Sequence, residues 1–360
     1  MNYDIAIVGA GIAGASLAAA IGDRARVLLL EAEDQPGYHA TGRSAAFWSE
    51  TYGGPAIQPL TTASGANLRE GGYLEPLGSL HIGRDEDERA LEAFLAAFAD
   101  TPVALEPVDP ATLVPGIRPD WRHGVIEASC AYIDVGRLHA DRLAAARQAG
   151  AVVETRAELA SAERAGGRWS ITTRDGRSFA ADVLVDAAGA WADVVARAAG
   201  VRPIGIQAYR RTMVQLLTDP LAPPNLPHVA DIQGRFYFKP ESGGRLWLSP
   251  HDETPVDPHD VAPEEIDVAT AVDRFERVVD WRVEKLERSW AGLRSFAPDR
   301  APVYGFAPDT PGFFWFAGQG GFGIQTAPAA AEIGAALLVG GDMPAGVDAD
   351  RYAATRFAPG

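Results

Sequence analysis

Three glycines in the run Ile5-Ala6-Ile7-Val8-Gly9-Ala10-Gly11-Ile12-Ala13-Gly14, followed by Glu31, could hold the phosphates and a ribose of a dinucleotide. Gly9 permits the tight turn, Gly11 lets the backbone approach a pyrophosphate, and Gly14 lets the following helix pack on the strand. The N-terminus of that helix offers unpaired N–H groups to the phosphates. Glu31 closes the apolar run Val27 to Leu30, where a carboxylate accepts hydrogen bonds from ribose hydroxyls and repels a 2′-phosphate. A glycine triplet alone is a weak sign, but a strand before it, a helix after it and an acid at this distance make a dinucleotide site. A second glycine turn, Gly318-Gln-Gly-Gly-Phe-Gly323, opens another helix and reads either as a seat for negative charge or as a plain turn. Arg211 and Arg294 lie inside apolar, strand-like stretches, where an unpaired guanidinium is costly, so each must meet an anion. That anion is either a bound carboxylate, which matches the planar donors of arginine, or one of the chain's 48 Asp and Glu. Arg210 and Arg211 are strand neighbours pointing to opposite faces, so only one of them enters a pocket.

The elements that must position these groups follow from the hydrophobic pattern. After the first strand, helix and strand, residues 35–46 read as a Gly/Ser/Arg-containing loop and Leu77 to Ile82 as a short strand. Asp85 to Phe98 and Arg137 to Ala149 have helical spacing, and Pro102 to Pro119 reads as proline-punctuated connection. Strands are expected near Val152, over Trp169 to Thr173 and over Asp182 to Asp186. From Gly205 to Phe296 the pattern is that of a mostly antiparallel sheet with one helix over Ile266 to Trp281. Strand Phe313 to Ala317 and helix Ala327 to Leu338 close the chain. The class is therefore α/β (α+β). A discontinuous Rossmann-like dinucleotide domain is expected over 1–76, 134–204 and 298–360, with a substrate domain carrying a large, mostly antiparallel sheet over 77–133 and 205–297.

Composition narrows the partners. With 32 Lys/Arg against 48 Asp/Glu the formal charge is −16, and no basic run exists, so nucleic acid and acidic membranes are poor partners. Cys130 is the single cysteine, which excludes an intrachain disulfide and a cysteine-cluster metal site and suits a reduced, cytoplasmic setting. HExxH-type metal spacing is absent, and none of the seven histidines sits in a nucleophile's motif; no metal is expected. No run of about 20 apolar residues spans a bilayer, and the start of the chain, already committed to the glycine cradle, is not expected to be a signal peptide.

The cradle, the loop Gly37-Tyr-His-Ala-Thr-Gly-Arg-Ser-Ala-Ala46, the segment Asp186-Ala-Ala-Gly-Ala-Trp191 and the stretch Gly-Gln-Gly-Gly-Phe-Gly-Ile-Gln-Thr326 together resemble the FAD-dependent D-amino-acid oxidase superfamily. Within it the chain looks most like the bacterial D-amino acid and D-arginine dehydrogenases. The likeness covers nearly the whole length, including Phe236-Tyr-Phe-Lys-Pro240 and Trp290-Ala-Gly-Leu-Arg-Ser-Phe296. It implies non-covalent FAD, with Ala13 and Gly14 at the pyrophosphate, Glu31 at the adenosine ribose and Ala32 at the adenine pocket. Thr41, Gly42, Arg43, Ser44, Ala45 and Ala46 would line the pyrophosphate and isoalloxazine, Ala157 would face adenine, and Ala188 and Gly189 would pack on the cofactor. Gly320, Gly321, Phe322, Gly323, Ile324 and Gln325 would border the flavin ring, with Gly321 to Ile324 also meeting substrate through main chain. The resemblance favours Arg211 and Arg294 as carboxylate holders and makes Tyr52 and Tyr237 substrate contacts; as isolated aromatics these tyrosines read as core.

Two departures bear on the substrate. Phe47, followed by Trp48, stands where D-arginine dehydrogenase has an active-site histidine. Ser79 stands where that enzyme has the glutamate that pairs with a basic side chain, and a buried cation without its partner is strongly disfavoured. Neutral or apolar substrates are expected. His81 shares a strand face with Ser79 and reads as a pocket residue or, more ordinarily, a packed one. The activity implied is oxidation of D-amino acids by hydride transfer to FAD. The alternatives are oxidation of a secondary amine (sarcosine, glycine or proline type) or of a 2-hydroxy acid, and a flavoprotein without turnover. The electron acceptor stays open among oxygen, a quinone and a dye.

Overall fold

The computed structural model describes residues 2–358; the first and last two residues of the expected domain segments lie outside the described residues. Asn2–Val8 is buried on both faces. Ile5 and Ile7 pack with one hydrophobic cluster and Ala6 and Val8 with another, the period-two alternation of a strand sandwiched between layers. It pairs in parallel with Val27–Leu30 on one side and Ser178–Asp186 on the other. Val152–Glu154 extends the sheet beyond Val27–Leu30, and Arg168–Thr173 and Leu159–Ala165 extend it antiparallel at the opposite edge. Phe313–Ala317 adds in parallel to Ser178–Asp186 and carries Val303–Phe306. Helices Ile12–Ile21, Val135–Gln148 and Ala327–Val339 pack on the Ile5/Ile7 side.

The second sheet is built around the long strand Gln207–Asp219. Its neighbours are Thr254–Val256, Arg245–Ser249 and Arg282–Phe296, all antiparallel. Tyr237–Glu241, His228–Asp231, Ser79–Gly83, His123–Glu127 and Leu105–Val108 continue the sheet, and only the His228–Asp231 and Ser79–Gly83 pair is parallel. Helix Glu265–Glu276 covers one face through Ala271 and Phe275 against Val214, Leu216 and Phe238. A small sheet of Phe47–Trp48, Ala131–Ile133 and Leu74–Pro76 joins the loops.

Among the elements that differ from expectation, three have a local cause. Gln58–Glu70 is a helix that the pattern does not announce, because Thr61, Thr62 and Ser64 weaken its apolar stripe. Leu105–Val108 is an edge strand inside the proline-punctuated stretch, with Pro107 tolerated because the edge leaves one side unpaired. The helix over 266–281 stops at Glu276; Val278 and Val279 turn into the core, and the Val278 carbonyl accepts the Arg118 N–H.

Candidate active site

A cavity of about 680 Å³ runs from the carboxyl ends of Asn2–Val8 and Val27–Leu30 to the face of the large sheet, the place where an α/β sheet binds its ligands. At the cradle end, Gly9 has φ +102°, and a Cβ there would stand 2.5 Å from the Ala187 carbonyl oxygen. Gly11 precedes helix Ile12–Ile21 with no side-chain cap. The Glu31 carboxylate accepts the Ala10 N–H at 2.9 Å and the Glu33 N–H at 3.0 Å, tying the glycine turn to the end of the second strand. Thr41 Oγ1 accepts the Ile12 N–H at 3.0 Å.

Of the cradle and loop positions singled out in the sequence, Gly9, Gly11, Ala13, Glu31, Ala32, Thr41, Arg43, Ser44, Ala45, Ala46, Ala157, Ala188 and Gly189 line the cavity. So do Gly320, Gly321, Gly323, Ile324 and Gln325. Three do not. Gly14 backs onto the turn, where a Cβ would lie 1.9 Å from Gly9 O, and Gly42 backs onto Gly37 O at 2.9 Å. Phe322 turns away into an aromatic cluster, 5.2 Å from Tyr52 and 5.8 Å from Phe296 between ring centres.

The arginine end follows from strand register. Tyr209 pairs with Arg294 and Arg211 with Gly292, so Arg211 and Arg294 are diagonal neighbours on one face of the sheet. Both line the cavity and are 6% and 8% exposed. Gly292, opposite Arg211, lets the loop carrying Arg43 come close, since a Cβ there would stand 3.3 Å from Arg43 Cβ. Arg210 points to the other face, to Asp267 at 2.7 Å and to Glu264. Arg211 Nε donates to the Asp252 carbonyl at 2.9 Å, and both Arg211 Nη2 (3.4 Å) and Arg294 Nη1 reach the Glu253 carboxylate. Arg211 Nη1 and Arg294 Nε are buried with no partner among the described residues. Burial, reinforced by the Arg294 charge, lowers the Arg211 pKa. Two buried donors left open in this way could hold an anion.

Tyr52, Tyr237, Phe47 and Met213 complete that end of the cavity. The loop carrying Tyr52 is anchored from behind. Glu127 is fully buried and accepts Ser49 Oγ (2.8 Å), Thr51 Oγ1 (2.6 Å) and the Glu50 N–H (2.7 Å), while Gln325 Nε2 donates to the Tyr52 carbonyl at 3.1 Å. Tyr237 is buried, its hydroxyl 3.1 Å from Met213 Sδ, and burial raises its pKa although Arg211 opposes this.

Two expected substrate contacts stand elsewhere. Trp48 alternates away from Phe47, is fully buried and donates Nε1–H to the Thr61 carbonyl at 3.1 Å. Ser79 sits behind the wall, its hydroxyl 2.9 Å from His228 Nδ1, and His228 lies against Phe47 with 4.6 Å between ring centres. His81 takes the packed alternative, 4.4 Å from the Phe94 ring and 3.3 Å from Thr51 Oγ1. Sequence reasoning missed Met213, the Glu127 anchor, His228 and Glu253. Met213 alone carried a signal, since it shares the face of Arg211 two positions on.

Burial pushes His81 down to about 4 and His251 down to about 3, and holds His228 well below its usual value. At these three histidines the folded protein therefore binds fewer protons than the unfolded chain below pH 6.5. Stability is fully present above that pH and falls as these histidines are forced to charge, by up to about 1.4 kcal/mol per pH unit for each. Denaturant midpoints at pH 7.5, 6 and 5 are expected to fall in that order. Replacing His251 by Asn is expected to flatten the slope, and an equally steep loss in that variant would remove His251 from the account.

The pieces fit a flavin dinucleotide. Two glycines leave no space for a Cβ beside the turn, a helix N-terminus whose N-cap residue is Gly11 lies on the wall, and one continuous cavity links that wall to the open arginine donors. The family model for FAD dependent oxidoreductases, DAO, matches residues 4–337. The hydrogen cyanide synthase subunit HcnC of Pseudomonas aeruginosa is 27% identical over 241 residues, 66% of this chain and 56% of that protein; the matched stretch spans little more than half of this relative. Among solved structures, glycine oxidase from Geobacillus kaustophilus (24% identity, 99% of both chains, TM-score 0.84) shares the fold. So does L-proline dehydrogenase from P. horikoshii (19% identity, 99% and 98% of the two chains, TM-score 0.86). Carried by a family match across nearly the whole sequence, the chain belongs to the DAO family of FAD-dependent oxidoreductases, with FAD as its cofactor.

Proposed function

We propose that this oxidoreductase takes small D-amino acids with neutral or apolar side chains to imino acids, which water hydrolyses to 2-oxo acids and ammonia. The observation that carries the reading is the pair of buried guanidiniums at one end of the cavity, each with a donor left open. Arg211 and Arg294 bind the substrate carboxylate, and the hydroxyls of Tyr52 and Tyr237 orient it or the amine. FAD, when bound, would supply a hydride acceptor, and Gly320, Gly321, Gly323, Ile324 and Gln325 are the residues that would border its ring. An amine that enters neutral expels the hydride unaided, so the chain's own work is positioning and exclusion of water rather than proton removal.

The side-chain preference rests on what surrounds the arginines. Phe47, Met213 and Tyr237 face that end. The carboxylates on the lining, Glu31, Glu33, Glu158 and Asp260, belong to the cradle strand ends, the Ala157 segment and the partners of Arg43 and Tyr38. A cationic side chain finds no anionic partner there. D-configuration rests on the sequence resemblance. Oxidation of a secondary amine is the second reading, favoured by fold likeness to L-proline dehydrogenase and an iminodiacetate oxidase (23% identity, TM-score 0.78). Buried Cys130 fits a reduced, cytoplasmic setting. No helix among the described residues is long and apolar enough to cross a membrane.

Anaerobic addition of a panel to the yellow protein separates these readings. Neutral D-amino acids are expected to bleach the flavin band at least roughly 100-fold more efficiently than their L-enantiomers or D-arginine. Bleaching by sarcosine or proline alone selects the second reading, and a flavin that nothing in the panel bleaches contradicts both. Tyr237→Phe is expected to raise KM roughly 10-fold, the loss of one hydrogen bond to a charged group, with little change in the limiting rate of reduction. An unaltered KM would return Tyr237 to the packing it makes with Met213.

A further inference from the structure

Three guanidiniums converge on one carboxylate just behind the open donors. Glu253 accepts from Arg294 Nη1, from Arg211 Nη2 at 3.4 Å and from Arg300 Nη2 at 3.0 Å on both of its oxygens. Its side chain is 33% exposed and Glu253 does not line the cavity, so it holds the arginines from outside the cavity. Arg300 is half exposed and lies over the Phe296 ring, where water screens its charge. Arg211 and Arg294 are buried and unscreened, and against them stands Glu253. Asp252, the other nearby acid, accepts two hydrogen bonds from Thr212 and lies between Arg210 and Arg211 at 3.8 and 4.0 Å.

We propose that Glu253 is a specificity-determining residue that cancels one of the two buried guanidinium charges and so restricts the site to ligands bearing a single carboxylate. With Glu253 shared between Arg211 and Arg294, and Asp252 4.0 Å from Arg211, the pair has donors open for one substrate carboxylate and no charge to spare for a second. A second carboxylate on the ligand must compete with Glu253 for the same donors and lies beside a like charge in a poorly solvated place. Its chemistry therefore excludes amino dicarboxylates and favours amino monocarboxylates, which narrows the proposed substrate class and rests on that reading of the arginine pair. Glu253 also acts as a bracket, since one oxygen shared by Arg211 and Arg294 fixes both guanidiniums and leaves Arg211 Nη1 and Arg294 Nε free.

Dissociation constants of acetate and malonate, read from perturbation of the flavin absorption band in the holoenzyme, test this without turnover. The wild type is expected to bind acetate and to bind malonate more weakly. Glu253→Gln keeps an acceptor of the same shape and removes the charge, so the malonate-to-acetate affinity ratio is expected to rise at least roughly 10-fold. Arg300→Gln removes a cation from the outer side and leaves the buried pair intact, so the same ratio is expected to fall; this variant carries the test if Glu253→Gln does not retain flavin. A ratio that is unchanged in both variants while acetate still binds overturns the role of Glu253 and leaves the carboxylate seat standing. A wild type that binds neither anion overturns the seat and this inference together.

Discussion

Arg294→Met is expected to raise KM for an amino acid substrate by roughly 10²–10³, about 2–5 kcal/mol for removing one partner of a buried, charge-assisted contact, while the bound flavin keeps its spectrum. The side chain reaches the cavity from the long strand Arg282–Phe296, lies beside Gly321 and Tyr52, and keeps an unpartnered Nε among the described residues. Methionine fills much of the same volume and packs against Phe296 and Phe322 without donors. The cost falls on carboxylate binding rather than on the fold. Glu253 retains Arg211 and Arg300 as partners, so no buried acid is orphaned in the variant. Steady-state kinetics beside an absorption spectrum decide the matter. Unchanged KM with intact flavin would assign Arg294 to the Glu253 ion pair alone.

Gly14→Val is expected to cost the protein its cofactor. A Cβ at position 14 would stand 1.9 Å from the carbonyl oxygen of Gly9 and 3.3 Å from Ile7 Cγ2. The obstacle is a Cβ against a backbone carbonyl, so no rotamer relieves it, and helix Ile12–Ile21 must lift off the turn. Its first N–H groups then leave the cavity wall, and the Ala10 N–H contact to Glu31 opens with them. FAD affinity is expected to fall by at least roughly 100-fold, since an overpacked junction costs 1–3 kcal/mol and the phosphate donors are lost in addition. The ratio of flavin to protein absorbance after purification reads this directly, and a stoichiometrically yellow Gly14→Val protein would contradict it.

The cradle was legible in the sequence because its chemistry is local. Gly9, Gly11 and Gly14 act on neighbours within a few residues, and Glu31 lies one short strand away, so spacing alone carries the geometry. Arg211 and Arg294 were legible as buried charges, and the alternation of a strand separated Arg211 from Arg210. What they touch was not legible. Each guanidinium meets Glu253, the ion-pair alternative, and each also keeps an open donor, on which the proposed carboxylate binding rests. Glu253 lies in a turn whose placement depends on the pairing of Gln207–Asp219 with Thr254–Val256, a register that no periodicity in residues 250–256 encodes. Trp48 and Phe322 were misplaced for a common reason. Each sits next to a residue that does line the cavity, and alternation or a tight turn sends its side chain the other way. Ser79 failed differently, since its strand is in place but His228 from the parallel neighbour stands between it and the cavity wall. The buried Glu127 anchor, drawn from residues 49, 51 and 127, joins segments too far apart for spacing to connect.

In the proposed function the arginine pair makes the cavity an amino acid site rather than only a flavin site, and comparing a neutral D-amino acid with its own carboxamide tests that most directly. The amide keeps the Cα–H, the amine and the side chain and lacks only the negative charge. In the wild type the acid is expected to reduce the flavin with a second-order rate constant roughly 10³-fold above that of the amide. In the Arg211→Met/Arg294→Met double variant the two are expected to differ by less than roughly 10-fold, because nothing is left to tell them apart. Equal reduction of the wild type by acid and amide would contradict the account.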